Sequence, residues 1–199
     1  VFTINAKQLS SSDITLSTIP NTVYNGSPQL LKPKVYDLGI LLTEGTHYTL
    51  SYSAFTTDAV TVTVTVTGMG GYSGTKTTTY AITKAPLTIK ANDQSKVFGA
   101  TDPSLTATYT GFVGTETVAN LTGSLSVTRT SIENVGVHTN SITPAGHGSK
   151  NYTITYQAGT FTITARPISA SEITVDPVSA VTYRGTAYTP TVVVKDGTT

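Results

Sequence analysis

The chain has 199 residues, of which only 12% are charged, with a formal net charge of +1 and no cysteine. There is no cluster of Lys and Arg to release counterions from a nucleic acid, and no apolar run reaches the roughly 20 residues that cross a bilayer. Nucleic-acid binding and a membrane span within these residues are therefore excluded, and the missing disulfides place the chain in the cytosol or on a bacterial surface. Thr makes up roughly a fifth of the residues, far above ordinary usage, and its β-branched side chain suits a half-buried pleated surface. Such a composition favours the bacterial surface. The predicted strands follow in chain order: Tyr48–Tyr52, Val60–Thr67, Thr77–Thr83, Leu87–Ala91, Leu105–Tyr109, Ser124–Arg129, Tyr152–Tyr156, Thr160–Thr164 and Thr191–Lys195. Val60–Thr67 alternates strictly, with valine assigned to the core and threonine to solvent. Breakers separate the runs at Asn25-Gly26, Gly68 to Gly71, Gly99 to Pro103, Pro144 to Gly148 and Asp196-Gly197. One helical turn is expected over Thr115–Leu121, with Thr115 as its cap.

A repeat organises these elements. Phe2-Thr3-Ile4, Tyr80-Ala81-Ile82 and Phe161-Thr162-Ile163 share one pattern, and self-similarity at a fixed period signals an array of modules. Shifted by 159 positions, residues 1–37 overlay residues 160–196 without a gap, matching Tyr24 to Tyr183, Gly26 to Gly185 and Asp37 to Asp196. Three units follow: 1–85, a different type at 86–165, and the start of a second copy of the first type at 166–199. The chain reads as a slice of a longer array. Residues 166–199 have too few strands to bury both faces of a sheet, so they are expected to need a neighbour or further residues. The joints Thr83-Lys84-Ala85-Pro86 and Thr164-Ala165-Arg166-Pro167 have no Gly/Ser spacer, and Pro marks the strand start after each. Stiff joints are expected. The fold class is all-β: tandem antiparallel β-sandwich (Ig-like) modules. A β-grasp-like sheet on the short helix competes for the middle unit.

Residues 87–164 resemble the MBG domain, a YGX/YDG-type repeat of large bacterial surface proteins. The resemblance rests on Leu87 to Gly99, Asp102-Pro103-Ser104-Leu105, Tyr109-Thr110-Gly111-Phe112, Glu133-Asn134-Val135-Gly136 and Asn151 to Tyr156. Phe98 stands where the family commonly has Tyr. Residues 6–85 and 165–199 resemble a bacterial Ig-like adhesin repeat through Tyr24-Asn25-Gly26, Glu44 to Tyr52 and Gly71 to Thr75, with His47 where Asp is common. These resemblances imply exported stalk or adhesin repeats. They supply no catalytic, cofactor-binding or metal-binding residue.

The residues themselves offer little chemistry. His47, His138 and His147 have neither metal-site spacing nor a Cys partner. Gly146-His147-Gly148-Ser149 is a Gly-rich turn rather than a nucleophile elbow, and Glu116 and Glu133 pair only on paper. Calcium needs six to eight oxygens. Asp93, Asp102, Asp176 and Asp196 are scattered, and only Asp93 and Asp176, near successive unit starts, suggest a junction ion. No Lys, Asn and acid trio stands out for an isopeptide crosslink. The pairs Tyr48/Tyr52 and Tyr152/Tyr156 are either a glycan platform or core. Asn25, Asn120 and Asn151 match the N-glycosylation pattern by accident.

The expected function is a non-enzymatic tandem-repeat stalk or spacer of a bacterial surface adhesin, extracellular, without cofactor. Neighbouring repeats are its partners, with a host glycan or extracellular protein as a further one. A binding module proper, or accessory domains of a secreted carbohydrate-active enzyme, are the alternatives.

Overall fold

The Val60–Thr67 alternation forms a strand because the pleat sorts its two side-chain types. In the computed structural model, which describes residues 3–53, 58–167 and 173–196, Val62, Val64 and Val66 are buried. Each contributes about 1.5–3 kcal/mol by leaving water. Phe2, Gly197 and the side chain of Asp196 lie outside the described residues. The first unit contains β1 (Lys7–Gln8), β2 (Ile14–Leu16), β3 (Thr22–Val23), β4 (Val35–Asp37), β5 (Ile40–Leu41), β6 (Tyr48–Tyr52), β7 (Thr61–Gly68), β8 (Tyr72–Ser73) and β9 (Thr75–Thr83). The middle unit contains β10 (Ala85–Ala91), β11 (Gln94–Val97), β12 (Ala107–Thr110), β13 (Ser126–Arg129), β14 (Gly136–Ala145), β15 (Tyr152–Gln157) and β16 (Gly159–Thr164). β17 (Ile173–Val175) and β18 (Val194–Asp196) follow.

The two unlike sequences adopt one topology. One sheet runs β3-β9-β7-β6 in the first unit and β11-β16-β14-β13 in the middle unit. In both, the first pair is parallel and the others antiparallel. On the second face, β10 pairs antiparallel with β12 and parallel with β15. In the first unit that single strand is split in two: β2 pairs antiparallel with β4, while β1 pairs parallel with β8. The break falls on Ser10-Ser11-Ser12, where the Ser11 hydroxyl accepts the Asp13 N–H at 3.3 Å. The all-β sandwich reading stands, with the difference that its sheets are mixed rather than wholly antiparallel.

Three further expectations are corrected. The turn in the middle unit is a single 3-10 turn, Val118–Asn120, capped by Thr117 rather than Thr115. Thr117 accepts the Ala119 N–H, and the Asn120 side chain accepts the Thr117 N–H at 3.0 Å. That turn buries no residue, so no sheet wraps on it as in a β-grasp. β14, ten residues long, was not expected at all. A bulge between His138 and Ile142 shifts its phase, with Asn140 at φ 55°, so alternation is lost exactly where it would be sought. Ser141 repairs the gap by donating to the His138 carbonyl at 2.6 Å and accepting the Phe161 N–H at 3.2 Å. Pro144, part of the expected breaker Pro144 to Gly148, lies past the Ile142–Gly159 pair, where β14 is paired only with β13 among the described residues. Its missing N–H therefore costs nothing on the other side.

The 159-residue shift is reproduced in the hydrogen bonds. β2 and β4 pair Ile14 with Asp37, Thr15 with Tyr36 and Leu16 with Val35. β17 and β18 pair Ile173 with Asp196, Thr174 with Lys195 and Val175 with Val194. Packing is not reproduced. Ile19, Tyr24 and Val35 are buried, while the corresponding Val178, Tyr183 and Val194 are exposed. In the first unit β7 and β9 supply the cover, through Val62, Val64, Tyr80 and Ile82 over Ile19 and Tyr24 and through Val66 over Val35. The described residues 173–196 include no counterpart of those strands.

Gly146 shows how tightly the middle unit's loops cross. At φ 104°, a Cβ there would lie 2.2 Å from the Ser124 carbonyl oxygen. Gly146→Ala is expected to cost about 1–3 kcal/mol from the backbone strain alone. Gly71 has ordinary φ and open space, so Gly71→Ala should stay within about 0.5 kcal/mol. Urea unfolding of the two variants checks the contrast.

Candidate functional site at the inter-unit joint

Only Lys84 separates β9 from β10, so the chain enters the middle unit without slack. A shared core covers the crossing. Ile19, Tyr24, Val62, Val64, Tyr80 and Ile82 of the first unit form one buried cluster with Ala85, Leu87 and Tyr152 of the middle unit. At its centre the Tyr24 and Tyr152 rings meet edge to face, 5.7 Å apart at 79°. Both hydroxyls donate to Glu116, one to each carboxylate oxygen. The Tyr152 hydroxyl also accepts the Val113 N–H at 2.9 Å. Gly26 turns the chain here at φ 76°, a conformation that favours glycine, beside the Val113 side chain.

A polar fringe surrounds this clamp. Asn151 works from both ends of its side chain: its oxygen accepts the Ala59 N–H at 2.9 Å and its nitrogen donates to Asp58 at 3.0 Å. Its backbone carbonyl accepts the Ala85 N–H at 2.9 Å. Lys150 pairs with Asp58 at 2.8 Å, and Lys84 donates to the Ser149 carbonyl at 2.7 Å. Asp58 is held below its ordinary pKa by Lys150 and then by Asn151. The Asn151 amide is thus committed to the joint. Asn120 serves the 3-10 cap, and Asn25 accepts the Ser27 N–H at 3.0 Å.

Burial, then the hydrogen bond to Glu116, pushes the Tyr24 hydroxyl up to about 12. Burial followed by Glu116 also raises Tyr152. Because the folded value of Tyr24 is raised, its contribution is complete below the unfolded value near pH 10 and is lost as pH rises through 12. Two pH units correspond to about 2–3 kcal/mol. Alkaline titration by tyrosinate absorbance should show a late-ionising residue that Tyr24→Phe removes, and the joint should open in that window.

A second cluster lies inside the middle unit. Lys96 pairs with Asp102 at 2.8 Å and Glu133 at 2.6 Å, and Arg129 grips the same two carboxylates. The Arg129 guanidinium also sits 4.4 Å above the Phe161 ring. Arg129 and Lys96 hold Asp102 well below the usual carboxylate range, and the two acids raise Lys96. Amide formation needs a neutral amine and an un-ionised acid, so this arrangement favours ion pairs over a crosslink.

The residues considered from the sequence are dispersed. Glu116 and Glu133 serve separate clusters. Asp93 accepts the Thr160 N–H at 2.7 Å, and Asp176 pairs with Lys195 at 2.6 Å. No group of three or more potential metal ligands gathers among the described residues. His47 accepts the Thr43 N–H at 2.9 Å, His138 meets the Asn134 carbonyl at 2.8 Å, and His147 meets the Tyr109 hydroxyl at 3.0 Å. Tyr48 and Tyr152 are buried, so neither intended Tyr pair forms an open platform. The role of Glu116 is what the sequence reading missed. Its partner Tyr24 lies 92 positions away, and no local pattern marks the pair.

Comparison with known families accounts for the middle unit. Residues 87–162 match the family model of the MBG domain (YGX type). No curated protein matches the chain. The MBG match runs from β10 into β16 and bears out the resemblance seen in the sequence. MBG domains are repeats of bacterial surface proteins, which fits a surface-repeat segment. The motif residues have identifiable structural work. Lys96, Asp102 and Glu133 belong to the ion cluster, while Tyr109 stacks on Phe112, which meets Tyr152 edge to face. The joint is thus built by the MBG region together with Tyr24 of the unit before it.

Proposed function

We propose that this chain is a non-catalytic stalk segment of a bacterial surface adhesin, extracellular, holding other parts of its protein away from the cell. The observation behind this reading is the Tyr24–Glu116–Tyr152 clamp set in a core shared by both units. A hinge would have a wet, polar, separable interface. Here, bending must expose two buried tyrosines and unpair a carboxylate. The neighbouring repeats are the primary partners, and the work is mechanical. Amide relaxation and small-angle scattering test it: residues 3–165 should tumble as one elongated body, and independent tumbling of the two units would overturn the stalk. A glycan-array and matrix-protein screen of the full chain should be blank. A saturable hit would turn the reading to a binding module, with the exposed Tyr156 ring the first to test.

A further inference from the structure

We propose that the β4–β5 hairpin of the first unit is a docking surface for the C-terminal pole of an MBG-type unit, the one that presents Phe98 and Gly99. The proposal rests on the stalk reading and names a further joint of the array. The first and middle units each have an aromatic at the C-terminal pole. The Tyr24 N–H donates to the Thr83 carbonyl and the Phe98 N–H to the Thr164 carbonyl, both at 2.8 Å. Glycines at φ 76° and 81°, Gly26 and Gly99, follow closely. The two differ in cover: Tyr24 is 4% exposed and Phe98 45%.

What covers Tyr24 is the segment after β12, with Phe112, Val113 and Glu116. β4 holds the place of β12 in the first unit, so the segment after β4 is the equivalent surface. It is the hairpin tip Leu38-Gly39-Ile40-Leu41, with Leu38 73% and Ile40 72% exposed. Leu38 has φ 48° and Gly39 φ 84°, a turn that Asn-Gly or Asp-Gly would suit better. A leucine there is conformationally disfavoured, and the first unit gives its side chain no cover.

The chemistries of the two joints match pairwise. Tyr24 brings a hydroxyl, and the facing segment supplies the Glu116 carboxylate. Phe98 brings none, and Leu38, Ile40 and Leu41 supply only aliphatic surface. Like-with-like joints would bury Glu116 against a ring without a donor, or a tyrosine hydroxyl against leucine, and an unpaired buried polar group is costly. The pairing therefore selects alternation of the two unit types. The third unit has Gly197 in place of Leu38, and the resident Phe98 is left exposed.

The test joins a second copy of residues 86–159 ahead of Val1 of the full chain. This keeps the 159-residue period and lets residues 1–5 close the added unit. Hydrogen exchange of the 36–41 amides should slow by roughly tenfold or more, which is about 1.4 kcal/mol. The added Phe98 should become buried while the resident one stays exposed. Leu38→Ser with Ile40→Ser, both at exposed positions, should restore the original exchange. Unchanged exchange at 36–41 on adding the unit overturns the proposal. The Val113 amide, bonded to Tyr152, reports the Tyr24–Glu116 joint in the same sample. Failure of the hairpin alone therefore leaves the stalk reading standing, and loss of Val113 protection would count against that reading instead.

Discussion

Replacing Tyr24 with alanine is expected to cost about 3–5 kcal/mol, the range for emptying a buried aromatic site. It should also split one cooperative unfolding transition into two. Tyr24 is the side chain through which the first unit reaches the middle one: its ring packs on Tyr152 and its hydroxyl engages Glu116. Removing it leaves a cavity between the units and takes away one of the two phenol donors of a partly buried carboxylate. Tyr24→Phe isolates the second effect and should cost about 1.5–3 kcal/mol, the range for a hydrogen bond to a charged group. Tyr183→Ala is the matched control. It occupies the corresponding position 159 residues on but is exposed, so the change should stay within about 0.5 kcal/mol. Urea unfolding followed by tyrosine fluorescence and circular dichroism measures all three. A single unshifted transition in Tyr24→Ala would mean that the units are held together by the backbone and the Asn151 fringe alone.

That experiment bears on what a sequence can disclose. Strands with unbroken alternation, such as β7 and β16, were legible because a two-residue period and one buried face leave a local trace. β14 was not, because its bulge moves the burial phase within one strand and Pro144 looks like a terminator. The short strands β1, β3 and β8 have two residues each, too few to show any period. They are defined by parallel pairing, β1 with β8 and β3 with β9. The repeat exposed the equivalence of Tyr24 with Tyr183 directly, while that of Tyr24 with Phe98 rests on the structure, where each N–H donates to its unit's closing strand. What each aromatic touches was hidden, because the facing segment comes from a different unit and matches by chemistry rather than by spacing. Glu116 looked like any surface acid. Its role appears only when a sandwich places the segment after β12 over the end of the preceding sheet.

Phe161→Ala should be the most damaging change within the MBG region, costing about 3–5 kcal/mol against the 5–15 kcal/mol that a whole domain ordinarily has. Phe161 lies on β16, between β11 and β14, in a small buried cluster with Ala91, Ile142 and Ile163. Few neighbours are available to collapse into the space it leaves. Its ring also lies under the Arg129 guanidinium, so truncation loosens the residue that joins Asp102 to Glu133. Phe161→Leu keeps most of the volume and should cost less, about 1.5 kcal/mol or below. With the joint intact both units should melt together, the single transition lower by about 2–4 °C for each kcal/mol lost. A separate, unshifted transition in which β7 of the first unit keeps its protection would mean that the coupling through Tyr24 is the weaker link. The two outcomes rank the joint against the middle unit's core, and the weaker of them sets where the two-unit segment first yields.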